Sequence, residues 1–93
     1  MRIAVVDDIA DERKLLCSRL TEQFARRGVH ADLFEYENGE SFLAGAKERP
    51  FTVVFLDIYM TGANGIETAK ELRGFDSDCL LVFTTTSTDH ALE

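Results

Sequence analysis

Residues 53–65 read VVFLDIYMTGANG, and the fold turns on what these thirteen residues do. Val53, Val54, Phe55 and Leu56 have strand character, the charged Asp57 follows them, and a glycine-bearing loop begins at once. The full apolar run, FTVVFL (51–56), does not alternate with polar residues. That pattern suits a strand covered on both faces, as at the centre of a parallel sheet. The carboxylate at its end is either a turn residue that closes the strand or a group the strand exists to hold.

Working outward, Pro50 breaks the chain before the run, and RIAVV (2–6) is a second apolar segment of strand length. From Asp11 to Arg27, Leu15, Leu16, Leu20 and Phe24 recur at the spacing of one helix face, which predicts that this face turns inward. Gly28 stops that helix after Arg26 and Arg27, whose charges suit the negative end of its dipole. ADLFEY (31–36) alternates and reads as a half-buried strand. NGESFLAGA (38–46) predicts a short helix capped by Asn38, with Phe42, Leu43 and Ala46 inward. GIETAKELRG (65–74) predicts a helix with Ile66, Ala69 and Leu72 inward and Gly74 at its end. CLLVFTT (79–85) is the fourth strand, and TDHALE (88–93) begins another helix. Strands alternating with helices mean βαβ units, hence an α/β fold with a parallel sheet and helices on both faces. With no repeats, low-complexity segments or linkers, residues 1–93 read as one domain.

The bulk numbers narrow the function. Ninety-three residues suffice for one small domain, and the 45% hydrophobic and 29% charged content is ordinary for a globular chain. A net charge of −7 argues against nucleic-acid binding by this chain, which needs a basic face, and is compatible with a divalent-cation site. Cys17 and Cys79 form neither a disulfide framework nor a zinc motif, so both read as reduced, packed thiols of a cytoplasmic protein. No apolar run has the length of a membrane span, and MRIAVVDD does not read as a signal peptide.

Three of the four strands end in polar groups: Asp7-Asp8 after the first, Asp57 after the third, and Thr84-Thr85-Thr86-Ser87 after the fourth. In open α/β sheets the ligand site lies beyond the carboxyl ends of the strands, at the switch point in strand order. If the order is the flavodoxin-like 2-1-3-4, the first and third strands are neighbours and the three carboxylates converge. Such convergence is unfavourable unless a cation relieves it. Mg²⁺, which takes one or two carboxylates plus waters and phosphate oxygens, is the natural candidate. Acids at a helix start also favour its dipole, a structural role that Asp7 and Asp8 could fill alongside the metal role.

At these residues the chain resembles the receiver domain of two-component response regulators. The resemblance covers the whole chain: the acidic pair after the first strand, DIYMTGANG (57–65) after the third, and a threonine closing the fourth. LDIYM with the NGIE that follows it, and the HALE ending, are most similar to LytTR-type regulators, which usually carry a DNA-binding domain and regulate transcription. The resemblance implies that Asp57 is the phosphoryl acceptor, an aspartate nucleophile served by a sensor histidine kinase. It implies that Asp8 binds Mg²⁺ directly and Asp7 through water, with Asp57 and the main-chain carbonyl of Tyr59 completing the ligands. Thr85 would offer its hydroxyl to a phosphate oxygen and Thr86 its N–H. Such a domain is a switch, with no turnover chemistry beyond its own phosphorylation and dephosphorylation. The side chains of Tyr59 and Met60 read as loop packing and rim, and His30 and His90 as surface residues.

The chain departs from that family in two places. Thr61 stands where proline is usual, which frees φ and restores an N–H donor, so the loop is expected to be softer. The sequence also ends at Glu93, before the usual fifth strand, with its phosphoryl-pairing lysine, and the fifth helix. Lys47 and Lys70 are wrongly placed to substitute. A truncated receiver is therefore expected, with CLLVFTT as an exposed edge strand and part of the first helix bared near Leu16 and Leu20. That exposure suggests a homodimer through residues 79–85 and the first helix. The alternative function is an interaction or dimerisation module that has lost its switch. An aspartate phosphatase of the haloacid type is disfavoured, because it wants a second Asp where Tyr59 stands.

Overall fold

The computed structural model describes residues 1–60 and 64–85. The expectations for Thr61, Thr86, His90 and the helix starting at 88 lie outside the described residues. The elements alternate as β1 (Arg2–Val6), α1 (Ala10–Arg26), β2 (Asp32–Tyr36), α2 (Gly39–Glu48), β3 (Val53–Asp57), α3 (Gly65–Arg73) and β4 (Leu80–Thr84). Each lies within two residues of its expected bounds, and the sheet is parallel in the order β2-β1-β3-β4, the flavodoxin-like arrangement. The one shift that matters is at β3. The strand starts at Val53, two residues past the start of the apolar run, and it includes Asp57 as its last member.

Local chemistry starts and stops the helices where the pattern placed them. The Asn38 side chain accepts from the N–H of Ser41 at 2.8 Å, and Asn64 does the same for Glu67 at 2.9 Å. Both satisfy donors that a helix start leaves without a partner. Gly28 ends the turn after α1 with φ +66°, a conformation that a side chain would strain. The N-cap of α1, Ile9, has no capping side chain of its own.

The two faces of the sheet are covered unequally. On one face, Ala4, Val6, Val54 and Leu56 pack with Phe42, Leu43 and Ala46 of α2 and with Ala69 and Leu72 of α3. Phe51 joins this core and stacks on Phe42 with ring centroids 5.9 Å apart, while Tyr36 meets both rings edge-on. On the other face, α1 lies against β1 and β2, where Ile3 and Val5 are fully buried. There Val53 and Phe55 of β3 are half-buried and Leu80 of β4 is 61% exposed.

Two inward assignments are corrected by this asymmetry. Leu15 is 48% exposed, because α1 meets the sheet along a narrower stripe than the apolar periodicity suggested; Leu16, Leu20 and Phe24 are half-buried. Ile66 is 42% exposed, and the small residues Gly65 and Thr68 take the inner face of α3 beside Ala69 and Leu72. Thr68 packs so closely on Gly39 of α2 that a Cβ there would collide with its hydroxyl. Cys79 is buried, Cys17 is half-buried, and both are free thiols. Among the described residues, no helix is long and apolar enough to cross a membrane.

Phe42 is the largest fully buried side chain and touches both the aromatic group and the α2 interface. Truncation to alanine in so small a core should cost about 3–5 kcal/mol, measured as a lowered urea midpoint at unchanged slope. A loss below about 1 kcal/mol would mean that the site collapses around the missing ring.

Candidate functional site

Register builds the site. β1 pairs with β3 from Ile3 opposite Val53 through Val6 opposite Leu56, so Asp7, the next residue, arrives level with Asp57. Asp57 in turn lies opposite Thr84 of β4, whose carbonyl accepts from the N–H of Ile58 at 3.1 Å. Asp7, Asp57 and Thr84 therefore form a row across the carboxyl edge of the three strands, with Asp8 one step beyond. One carboxylate oxygen from each of Asp7, Asp8 and Asp57 lies within 4.8 Å of the others. Asp7 is 2% exposed and Asp57 fully buried.

Main-chain groups hold both buried acids. The N–H of Asp7 donates to the Tyr36 carbonyl at 3.0 Å, and its Oδ1 accepts from the N–H of Ile9 at 2.9 Å. Asp57 Oδ1 accepts from the N–H of Tyr59 at 3.1 Å, which fixes the rotation of that carboxylate. Behind Asp57 the start of α3 closes directly on the strand end. The N–H of Gly65 donates to the Ile58 carbonyl at 3.0 Å, and a Cβ at residue 65 would run into the main chain of Asp57 and Ile58. Glycine is required here by close approach.

Burial pushes the Asp7 carboxyl from its ordinary 3.8 up to about 6; the Ile9 N–H opposes the rise, and the charges of Asp57, Asp8 and Glu12 add to it. The acids of this edge are thus held together at an electrostatic cost. Three carboxylates, two of them buried, form a hard-oxygen donor set that fits a hard divalent cation such as Mg²⁺. Below the acids, a cleft of about 140 Å³ is lined by Asp7, Glu12, Leu15, Leu16, Arg19, Thr84 and Thr85. Thr85 is exposed at its mouth.

The sequence-predicted residues thus divide. Asp7, Asp8 and Asp57 come together, Thr85 shares a cleft with Asp7, and Tyr59 follows Asp57 with its ring 48% exposed. Met60 is buried in the core. Lys47 lies at the opposite edge of the sheet, its Nζ 5.5 Å from the Phe75 ring, and Lys70 is exposed on α3. His30 is a surface residue, 3.4 Å from Asp32. Sequence reasoning placed Thr84 at the carboxyl edge without assigning it the position level with Asp57, and it missed Glu12 and Arg13, which flank the acidic cluster. A run of threonines does not reveal which one meets the neighbouring strand, and a charged residue in the first turn of a helix ordinarily faces water.

Known proteins fall in with this geometry. The profile of the response regulator receiver domain family matches residues 3–93. The response regulator receiver protein CpdR of Brucella abortus is 32% identical over 84 residues, which span 90% of this chain and 65% of CpdR. The sensory transduction protein LytT of Oceanobacillus iheyensis is 47% identical over 51 residues, 53% of this chain and 21% of LytT. The chain thus spans less than two thirds of either relative's length. Among solved structures, the response regulator protein TrrA of Thermotoga maritima, in complex with Mg²⁺-BeF, superposes with a TM-score of 0.80 at 32% identity, covering 99% of this chain and 75% of that one. A complex of histidine kinase ThkA with TrrA superposes with a TM-score of 0.73 at 36% identity, covering 91% and 68%.

The raised pKa of Asp7 has a measurable consequence in metal-free protein. The folded chain keeps a proton at Asp7 that the unfolded chain releases near pH 4. The resulting stabilisation is fully present below about pH 4 and is lost as pH rises through about 6, on the order of 3 kcal/mol in all. Urea unfolding with chelator across this range should show Asp7→Asn lacking that part of the slope. Superimposable pH profiles for the two proteins would contradict it.

Proposed function

The chain belongs to the response regulator receiver domain family, and on that premise we propose that Asp57 accepts a phosphoryl group from a sensor histidine kinase in the presence of Mg²⁺. It is a signalling module of two-component systems. The observation that carries the acceptor assignment is the buried Asp57 carboxylate, held at the end of the central strand within 4.8 Å of Asp7 and Asp8. A carboxylate so placed is a fixed nucleophile, aimed by the Tyr59 N–H and kept from rotating away.

In the proposed step, an Asp57 oxygen forms a bond to phosphorus as the P–N bond of the donor phosphohistidine breaks. The leaving imidazole nitrogen keeps the electron pair and takes a proton. Asp8 would hold Mg²⁺ directly, with Asp7 through water, Asp57 itself and the main-chain carbonyl of Tyr59. The ion supplies positive charge that offsets the acids and the phosphoryl oxygens. Thr85, exposed at the mouth of the cleft it shares with Asp7, donates its hydroxyl to a phosphoryl oxygen, and Thr86 its N–H. Residues 1–93 form one receiver unit of a cytoplasmic regulator. The similarity to LytT supports a LytTR-type output acting in transcription.

A second reading is favoured by a specific observation: Leu80 and Phe83 of β4 are 61% and 42% exposed, as is Leu15 of α1 at 48%. An apolar strand at a sheet edge offers a template for another chain. On this reading the chain associates with a second copy through β4 and α1, whether or not its switch operates.

Two measurements follow. Incubation with Mg²⁺ and a small phosphodonor should give one phosphoryl adduct by intact mass, absent from Asp57→Asn; an adduct on both proteins would remove Asp57 from the role. Sedimentation at micromolar concentration should show a dimer that Leu80→Lys weakens. A clean monomer for the wild type would sink the second reading.

A further inference from the structure

The residue that shapes the acidic edge without belonging to it is Arg13. We propose that Arg13 is a positioning residue for the divalent-cation site: its guanidinium fixes the Asp7–Asp8 peptide and so sets where the Asp8 carboxylate points. The inference rests on the cation site proposed above.

The geometry is specific. Arg13 Nη1 donates to the Asp7 carbonyl oxygen at 2.8 Å, and Arg13 Nε donates to Glu35 Oε1 at 3.0 Å. The arginine side chain is only 14% exposed, although it stands in the first turn of a helix with no fully buried residue. The main chain of Arg13 takes part too, its N–H donating to the Ile9 carbonyl at 2.9 Å. Asp7 is therefore gripped at three points: its N–H by Tyr36 of β2, its Oδ1 by the Ile9 N–H, and its carbonyl by Arg13. Among these contacts only the last is made to Asp7 by another residue's side chain.

That carbonyl belongs to the peptide plane joining Asp7 to Asp8. Its direction determines the rotation of the Asp7–Asp8 peptide, and through it the starting point of the Asp8 side chain. A planar guanidinium suits the task, because two donors at fixed angles can bind two acceptors at once. Glu35, on β2, anchors the far side of the fork, so the link runs from β2 through α1 to the tip of β1. The surface ion pair between Arg26 and Glu22, both more than 60% exposed, instead joins two residues of the same helix. Groups that orient metal ligands from outside typically change metal affinity 10–100-fold when removed.

Binding of Mn²⁺, followed by electron paramagnetic resonance with Mg²⁺ as competitor, tests the assignment. Arg13→Ala should weaken binding about tenfold, and Arg13→Lys, which offers an ammonium without the planar fork, should recover part of the loss. Glu35→Gln, which keeps an acceptor, should have a smaller effect than Arg13→Ala. Ala46→Gly, a destabilising change on the other face of the sheet, should leave affinity at the wild-type value. In metal-free protein, Arg13→Ala should shift the amide resonances of Asp8 and Ile9 while leaving those of Val54 and Leu72 in place. Wild-type affinity in Arg13→Ala, or an equal loss in Ala46→Gly, overturns the positioning role. Absence of Mn²⁺ binding by the wild type overturns the cation site beneath it, and the amide shifts distinguish that failure from a failure of Arg13 to fix the peptide.

Discussion

Everything at the carboxyl edge depends on the parallel pairing of β1 with β3. Because Val6 sits opposite Leu56, two aspartates that are fifty residues apart in the chain arrive side by side. A slip of one residue would break this meeting and would exchange the side chains that face α1 with those that face α2 and α3. The core and the site are therefore specified by the same register. Burial of Ile3, Ala4, Val5, Val6, Val54 and Leu56 holds it against the repulsion of the acids beyond.

That repulsion is the stored feature of the site. Asp7 is desolvated and faces Asp57 and Asp8, so its carboxyl holds a proton more tightly than an exposed acid would. A divalent cation and a proton compete for such a cluster, and the cation, bringing two charges, relieves more of the repulsion. Around it the main chain supplies the rigidity. The N–H groups of Ile9 and Tyr59 hold one oxygen of each buried acid, and Gly65 allows α3 to close on the strand end without displacing Asp57.

The elements themselves were legible to within two residues, because apolar periodicity and turn chemistry are local. Asn38 and Gly28 announce a helix start and a helix stop through their own side-chain and backbone preferences, with no help from distant residues. Asp7, Asp8 and Asp57 were legible for a different reason: they stand at or just past the ends of apolar strands, and strand ends gather at one edge of a parallel sheet. Leu15 and Ile66 were misread inward. Periodicity identifies which residues share a helical stripe, but the partner surface decides how much of that stripe is covered. Among the described residues α1 packs chiefly on β1 and β2, and α3 closes on the sheet through Gly65, Thr68, Ala69 and Leu72.

Preferences acting over a few residues suffice to dictate an α/β chain, its order of elements and the acids that close its strands. Three features arise only when the chain is folded: Thr84 lies level with Asp57, Gly65 must lack a side chain, and Arg13 reaches the Asp7 carbonyl. Each of these is a meeting between segments whose relative position is set by sheet register and helix docking. Such contacts leave no periodic trace, because a single arginine or glycine satisfies them once, at one place in space.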